Sequence, residues 1–253
     1  MGPSLGIESL RWAFGLRSLD FIKIKGYLVG SQGSSYNRFK PGKRNAMEPK
    51  KVIFAIVDIS GYTQFIKSHK TSQIHAEEII FDLLEAVIDR AEYPLILNKL
   101  EGDALFLYAD LIAGKETAVA CDVVRQVQAF FDAFHTRKDQ LVQERVECSC
   151  HACSRISDLR LKAFLHQGLA FLRKIRQFEE LAGEDVILVH RLLKNTIPAS
   201  EYIAATRAFV ELTGDYFSDT RSEMRQEYYA DLGMVIVQVF YPANSHKISK
   251  FLF

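Results

Sequence analysis

The sequence predicts an α+β fold in which a mixed, mainly antiparallel sheet carries helices over one face. Three observations lead there. Val52 to Ile59 is a β-branched, aromatic and apolar run that ends at Ser60-Gly61, as a buried strand does. Ile74 to Ala91 and Glu116 to Phe134 place apolar residues at helical spacing instead. Short apolar runs also occur in adjacent pairs around polar turns, which favours antiparallel neighbours.

Taken in order, the first strand should lead through a turn into the helix at Ile74 to Ala91. There Ile79, Ile80, Leu83, Leu84, Val87 and Ile88 share one side, and Pro94 breaks the pattern. Leu95 to Lys99 and Ala104 to Tyr108 flank Leu100-Glu101-Gly102-Asp103, the composition of a hairpin turn. Glu116 to Phe134 carries Val119, Val123, Val127, Phe130 and Phe131 on its apolar side. Phe130, Phe131 and Phe134 read as core packing rather than a base-stacking platform. Leu159 to His166 alternates apolar with polar residues, and Gly168 to Ile175 is expected to return beside it as a second hairpin. Asp185 to Leu193 is a short helix, Tyr202 to Phe209 suits a strand or a helix, and Met234 to Tyr241 is a final strand closed by Pro242.

The 253 residues, 48% hydrophobic and 25% charged, suit one large domain or one domain with appendages. The net charge of +1 hides a basic start, where Lys40, Lys43, Arg44 and others outnumber Glu8, Asp20 and Glu48. Residues 1–46 are expected to be a basic, flexible arm, or a stretch ahead of a start site at Met47, with the ordered domain spanning 47–253. The arm has neither a secretory apolar core nor a run long enough to span a bilayer. It has no groove-reading motif for nucleic acid either, so it reads as a solvated tail on a cytoplasmic protein.

The chemistry concentrates in two strings. In Phe54-Ala55-Ile56-Val57-Asp58-Ile59-Ser60-Gly61-Tyr62-Thr63 an acid closes a buried strand. A carboxylate there needs a hydrogen-bonding partner or a cation, and the glycine lets the amides of the next turn face a phosphate. In Lys99-Leu100-Glu101-Gly102-Asp103-Ala104 a hairpin turn can bring a second carboxylate beside the first strand. Two hard oxygen ligands on neighbouring strands suit Mg2+ or Mn2+ bound to triphosphate oxygens. The plainer reading of the second string is a polar surface turn.

At these residues the sequence resembles the class III adenylate and guanylate cyclases, whose metal aspartates lie in Phe-x-Asp-Ile-x-Gly-Phe/Tyr-Thr and Lys-x-x-Gly-Asp motifs. The resemblance spans 52–195 and implies a cyclase-type, ferredoxin-like sheet. It implies that Asp58 and Asp103, with the Ile59 carbonyl, hold the metal, that Gly61, Tyr62 and Thr63 meet the triphosphate, and that Lys99 and Glu180 read the base. ATP is then the favoured nucleotide, converted to a 3',5'-cyclic monophosphate and pyrophosphate by a homodimer with shared sites. Leu161 to Gly168 looks like the family's strand ending in His-x-Gly. Gly183 to Leu192 is similar to Gly-x-x-Val-Asn-x-Ala-x-Arg-Leu, with Val186, Arg191 and Leu192 matching and Arg191 as the catalytic phosphate contact. The family asparagine falls on Ile187, and this departure keeps open a second reading, a weak or inactive nucleotide-binding module on the same fold.

Cys148, Cys150 and Cys153 crowd into one loop with His151. Four cysteines in all are too few for a disulfide framework. Their spacing suggests a separate zinc site, an iron–sulfur centre or a redox switch, with reduced loop thiols as the plainer alternative. His166 and His190 are expected to be structural.

Overall fold

The computed structural model describes residues 48–66, 73–218 and 220–241. The basic arm of 1–46, the start at Met47 and the closing Pro242 lie outside the described residues. The strands are β1 (Pro49–Ser60), β2 (Ile96–Glu101), β3 (Ala104–Asp110), β4 (Arg160–Ile175), β5 (Phe178–Ala182), β6 (Tyr202–Thr206), β7 (Ser222–Tyr229) and β8 (Gly233–Phe240). They form one sheet in the order β2-β3-β1-β4-β6-β8-β7, with β5 added to β4. Every pairing is antiparallel except β4 with β6. The α+β class, with its mostly antiparallel sheet, is as the sequence predicts.

The helices are α1 (Tyr62–Ile66), α2 (Gln73–Ile88), α3 (Glu116–Glu144), α4 (Glu184–Arg191) and α5 (Arg207–Thr213). The two long ones and α5 pack on one face of the sheet, against Ile53, Ala55, Val57 and Ile59 of β1. The opposite face of β1, formed by Val52, Phe54 and Ile56, is covered in part by Val189 of α4. Burial on both faces explains why β1 is an unbroken apolar run instead of an alternating one. No helix among the described residues is long and apolar enough to cross a membrane.

Three expectations need correcting. The segments Leu159 to His166 and Gly168 to Ile175 are not a hairpin: β4 passes straight through Gln167-Gly168, and its return strand is β5. Gly168 signals a close approach rather than a turn. The third helix runs past Phe134 to Glu144 because Lys138 and Leu141 continue its buried stripe. The Lys138 ammonium donates to the Leu159 carbonyl at 3.2 Å, so a lysine sits where the pattern calls for an apolar residue. Tyr202 to Phe209 holds both a strand and the start of a helix, and β7 is an additional strand whose mostly exposed sequence carries little apolar alternation.

Candidate active site

Asp58 stands at the end of β1, opposite Ala104 of β3 on one side and Lys162 of β4 on the other. The β2–β3 turn is tight, with Gly102 at φ 68°, and is pinned to β1 by the Ile59 N–H donating to the Asp103 carbonyl at 3.3 Å. This brings the two aspartates to one cleft of about 420 Å³, lined by Asp58, Ile59, Gly61, Tyr62, Thr63, Gln64, Asp103 and Lys162. All six residues that the resemblance assigns to metal and triphosphate therefore converge, although they come from β1, the turn and helix α1 that follow it, and the β2–β3 turn.

Among the described residues, the cleft lining holds two carboxylates and one lysine. Burial pushes the Asp103 carboxyl up to about 7, helped by the neighbouring Asp58 carboxylate and opposed by its own backbone hydrogen bond and by Lys162. Burial also raises the Tyr62 phenol, with further help from Glu77 and Asp103. Hard oxygen donors crowded together in this way suit a divalent cation. Lys162 was missed in the sequence: its ammonium lies 2.9 Å from Asp58 Oδ2, and the two side chains are only 20% and 14% exposed. The signal for it was a polar position in the alternation Leu161-Lys162-Ala163, directly opposite Asp58.

Lys99, Glu180 and Arg191 do not line this cleft. Lys99 and Glu180 do meet each other, with Nζ 3.3 Å from Oε2, because β5 folds back along β4. Glu101 lies 3.8 Å from Lys99 and 3.0 Å from His190 Nε2. The Arg191 guanidinium donates twice to Asp231 Oδ2, at 2.9 and 2.6 Å. Ile187, 51% exposed on α4, makes no core contact that would explain an apolar residue there.

Below α4 lies a partly buried polar set. The Asp185 carboxylate accepts the Leu169 N–H at 2.6 Å and sits 3.0 Å from His166 Nε2, while Thr206 Oγ1 lies 2.8 Å from Nδ1. Burial holds His166 below the usual histidine range despite the Asp185 carboxylate. A neutral imidazole that donates to Asp185 and accepts from Thr206 satisfies all three groups, which agrees with a structural role.

The cysteine loop gathers a different histidine from the expected one. Among the described residues Cys148, Cys150 and Cys153 cluster with His75 of α2, their ligand atoms all within 4.8 Å of one another, and His151 is exposed. Local spacing pointed to His151, whereas His75 reaches the loop only through the packing of α2 on α3. The Cys153 thiol is pushed up to about 12 by burial and by the neighbouring thiols of Cys150 and Cys148.

A family model described as "Protein of unknown function (DUF2652)" matches residues 80–202. "Uncharacterized protein Rv2561/Rv2562" of Mycobacterium tuberculosis (strain ATCC 25618 / H37Rv) is 41% identical over 124 residues, 49% of this chain and 55% of that protein. The chain thus spans about half the length of the curated relative it matches. Among solved structures, the adenylyl cyclase CyaB from P. aeruginosa superposes with a TM-score of 0.59 at 15% identity, over 80% of this chain and 99% of that one. The guanylyl cyclase Cya2 gives 0.57 at 13% identity, over 79% and 97%. The described residues therefore have the fold of adenylyl and guanylyl cyclase catalytic domains.

Proposed function

We propose that this chain is a metal-dependent nucleotidyl cyclase that converts a nucleoside triphosphate, ATP in preference, to its 3',5'-cyclic monophosphate and pyrophosphate. The observation that carries the reading is the convergence of Asp58 and Asp103 in one cleft, where burial and then the neighbouring Asp58 carboxylate raise the proton affinity of Asp103. Asp58, Asp103 and the Ile59 carbonyl are the donors that would hold Mg2+ or Mn2+. Such an ion supplies charge against the triphosphate and eases ionisation of the ribose 3'-hydroxyl.

The remaining roles belong to the chain's own residues. The backbone of Gly61, Tyr62 and Thr63 borders the cleft where phosphate oxygens would lie. Lys99 and Glu180, already paired, offer one donor and one acceptor, which matches a ring nitrogen and the exocyclic amino group of adenine. Because that pair and Arg191 stand outside the cleft, a complete site needs a second copy of the chain to present them, with Arg191 exchanging Asp231 for phosphate. The 3'-oxygen then bonds to the α-phosphorus, the bond to the bridging oxygen breaks, and pyrophosphate leaves. We read the protein as cytoplasmic, with its domain beginning near residue 47.

The second reading is a nucleotide-binding module with little turnover. Two observations favour it: Lys162 already occupies Asp58, and Ile187 offers no hydrogen bond to the transferring phosphoryl group. The absence of one such donor typically costs ~3 kcal/mol, or about a hundredfold in rate.

Incubation of purified protein with each of the four ribonucleoside triphosphates and Mn2+, scored by mass for cyclic product and pyrophosphate, separates the two. Product that disappears in Asp58→Ala and Asp103→Ala supports the cyclase and names its base. Nucleotide binding without product from a folded dimer supports the module.

A further inference from the structure

Independently of that reading, the cysteine loop carries a geometry that thiols alone do not explain. The Sγ atoms of Cys148, Cys150 and Cys153 lie 3.5, 3.5 and 3.6 Å from one atom, Nδ1 of His75. An imidazole nitrogen has one lone pair or one hydrogen, so hydrogen bonding accounts for one close sulfur and not for three at equal distance. A tetrahedral ion accounts for all of them. Zinc bonds of about 2.3 Å to sulfur and about 2.05 Å to nitrogen, opened to the tetrahedral angle, set each S···N edge at about 3.5 Å.

The surroundings agree. All four ligand atoms lie within 4.8 Å of one another, which fits one ion but is tight for a cluster of several irons. The Cys153 N–H donates to Cys150 Sγ at 3.4 Å, a contact that supports negative charge on that sulfur. Arg145, bonded to Glu78 at 2.9 Å, stands within electrostatic reach of Cys153. Ala152, Cys153 and Ile156 are buried in the core on the helical face, so the loop is seated and not projecting.

We propose that His75, Cys148, Cys150 and Cys153 form a closed structural zinc site that fastens the loop following α3 to the first turn of α2. On binding, three S–Zn bonds form as the thiol protons pass to solvent, and His75 donates its Nδ1 lone pair, leaving the site with one negative charge. Three sulfurs and one nitrogen suit zinc and leave no open position for a substrate. The fastened segment continues through the 3-10 turn Cys153–Asp158 into β4, which presents Lys162 to Asp58. The metal therefore braces the strand beside the cleft without taking part in its chemistry.

The test uses the full chain, purified in a thiol-protecting buffer and loaded with zinc. Elemental analysis after dialysis is expected to find one zinc per chain, and replacement by Co2+ to give thiolate-to-cobalt charge transfer with tetrahedral d–d absorption. His75→Ala and Cys148→Ser should weaken zinc binding by more than about a hundredfold in chelator competition, while His151→Ala leaves it unchanged. Should the ligand variants not fold, the cobalt spectrum and chelator titration of the unaltered chain still decide. Protein that retains no zinc after loading, that carries an iron–sulfur chromophore, or that loses zinc with His151→Ala but keeps it with His75→Ala would overturn the site.

Discussion

Gly168 and Asp185 share one space: a β-carbon on Gly168 would lie 2.3 Å from Asp185 Cγ and 2.5 Å from its Cβ. The glycine of the His166-Gln167-Gly168 string is therefore required by a side chain from the first turn of α4, not by a turn in its own strand. Asp185 uses that room to accept the Leu169 N–H and to hold His166. Gly168→Ala should lower stability by about 1–3 kcal/mol, as overpacking does, because the Asp185 Cβ cannot swing aside as a flexible tip would. Denaturation of Gly168→Ala, Asp185→Ala and the double variant should show strong non-additivity, the second change relieving the first. Additive losses would mean that the two residues do not compete.

His166 makes stability depend on pH in a defined direction. Its folded-state pKa is lowered, chiefly by burial, so the unfolded chain binds the proton more readily. The contribution is fully present above the ordinary histidine value of about 6.5 and is lost as pH falls through the folded value. The groups facing the ring are Asp185, Thr206 and the stacked Phe54. Asp103, with its raised value, contributes stability in the opposite sense as pH falls over the same window, so the readout is a difference: between pH 7 and 5 the natural protein should lose stability to urea relative to His166→Gln.

Lys162 competes with any cation for Asp58. Lys162→Met should destabilise the metal-free protein by about 1–2 kcal/mol, between the worth of an exposed pair and the cost of breaking a buried one. The same change should enlarge the rise in Tm on adding Mn2+, since Lys162 is the cation that faces the two carboxylates among the described residues lining the cleft. An equal Mn2+ shift in both proteins would place the cation elsewhere.

Ile187→Asn tests whether the departure from the cyclase pattern limits turnover. Half-exposed Ile187 gives up little packing, so the variant should fold as the parent does. Under the cyclase reading its turnover should rise by about ten- to a hundredfold, the worth of one hydrogen bond to the transferring group. Unchanged turnover, measured under saturating nucleotide and Mn2+, would show that α4 does not face the reacting phosphate.

What was legible in the sequence was local. The unbroken run of β1, the helical spacing of α2 and the Gly-Asp turn of the first hairpin each declare themselves within a dozen residues, because backbone sterics and burial act over that range. Asp58 and Gly61 could be picked out for the same reason, an acid and a glycine interrupting a pattern that physics otherwise makes regular, whereas Asp103, in a polar turn that reads plainly as surface, was picked out through the resemblance. Polar segments escaped. Exposed β7 carries no burial pattern, and Gly168, read as a turn, is a cavity whose occupant lies in another element.

The sequence by itself determined the class of fold and the strand and hairpin turn that carry the two aspartates. Only the tertiary structure decided their partners. Strand register set Lys162 against Asp58, the return of β5 set Glu180 beside Lys99, and the packing of α2 on α3 replaced His151 with His75 beside the cysteines. Each of these pairings joins residues distant in the chain, and distance along a chain says nothing about contact until the burial of apolar faces has chosen which elements lie side by side.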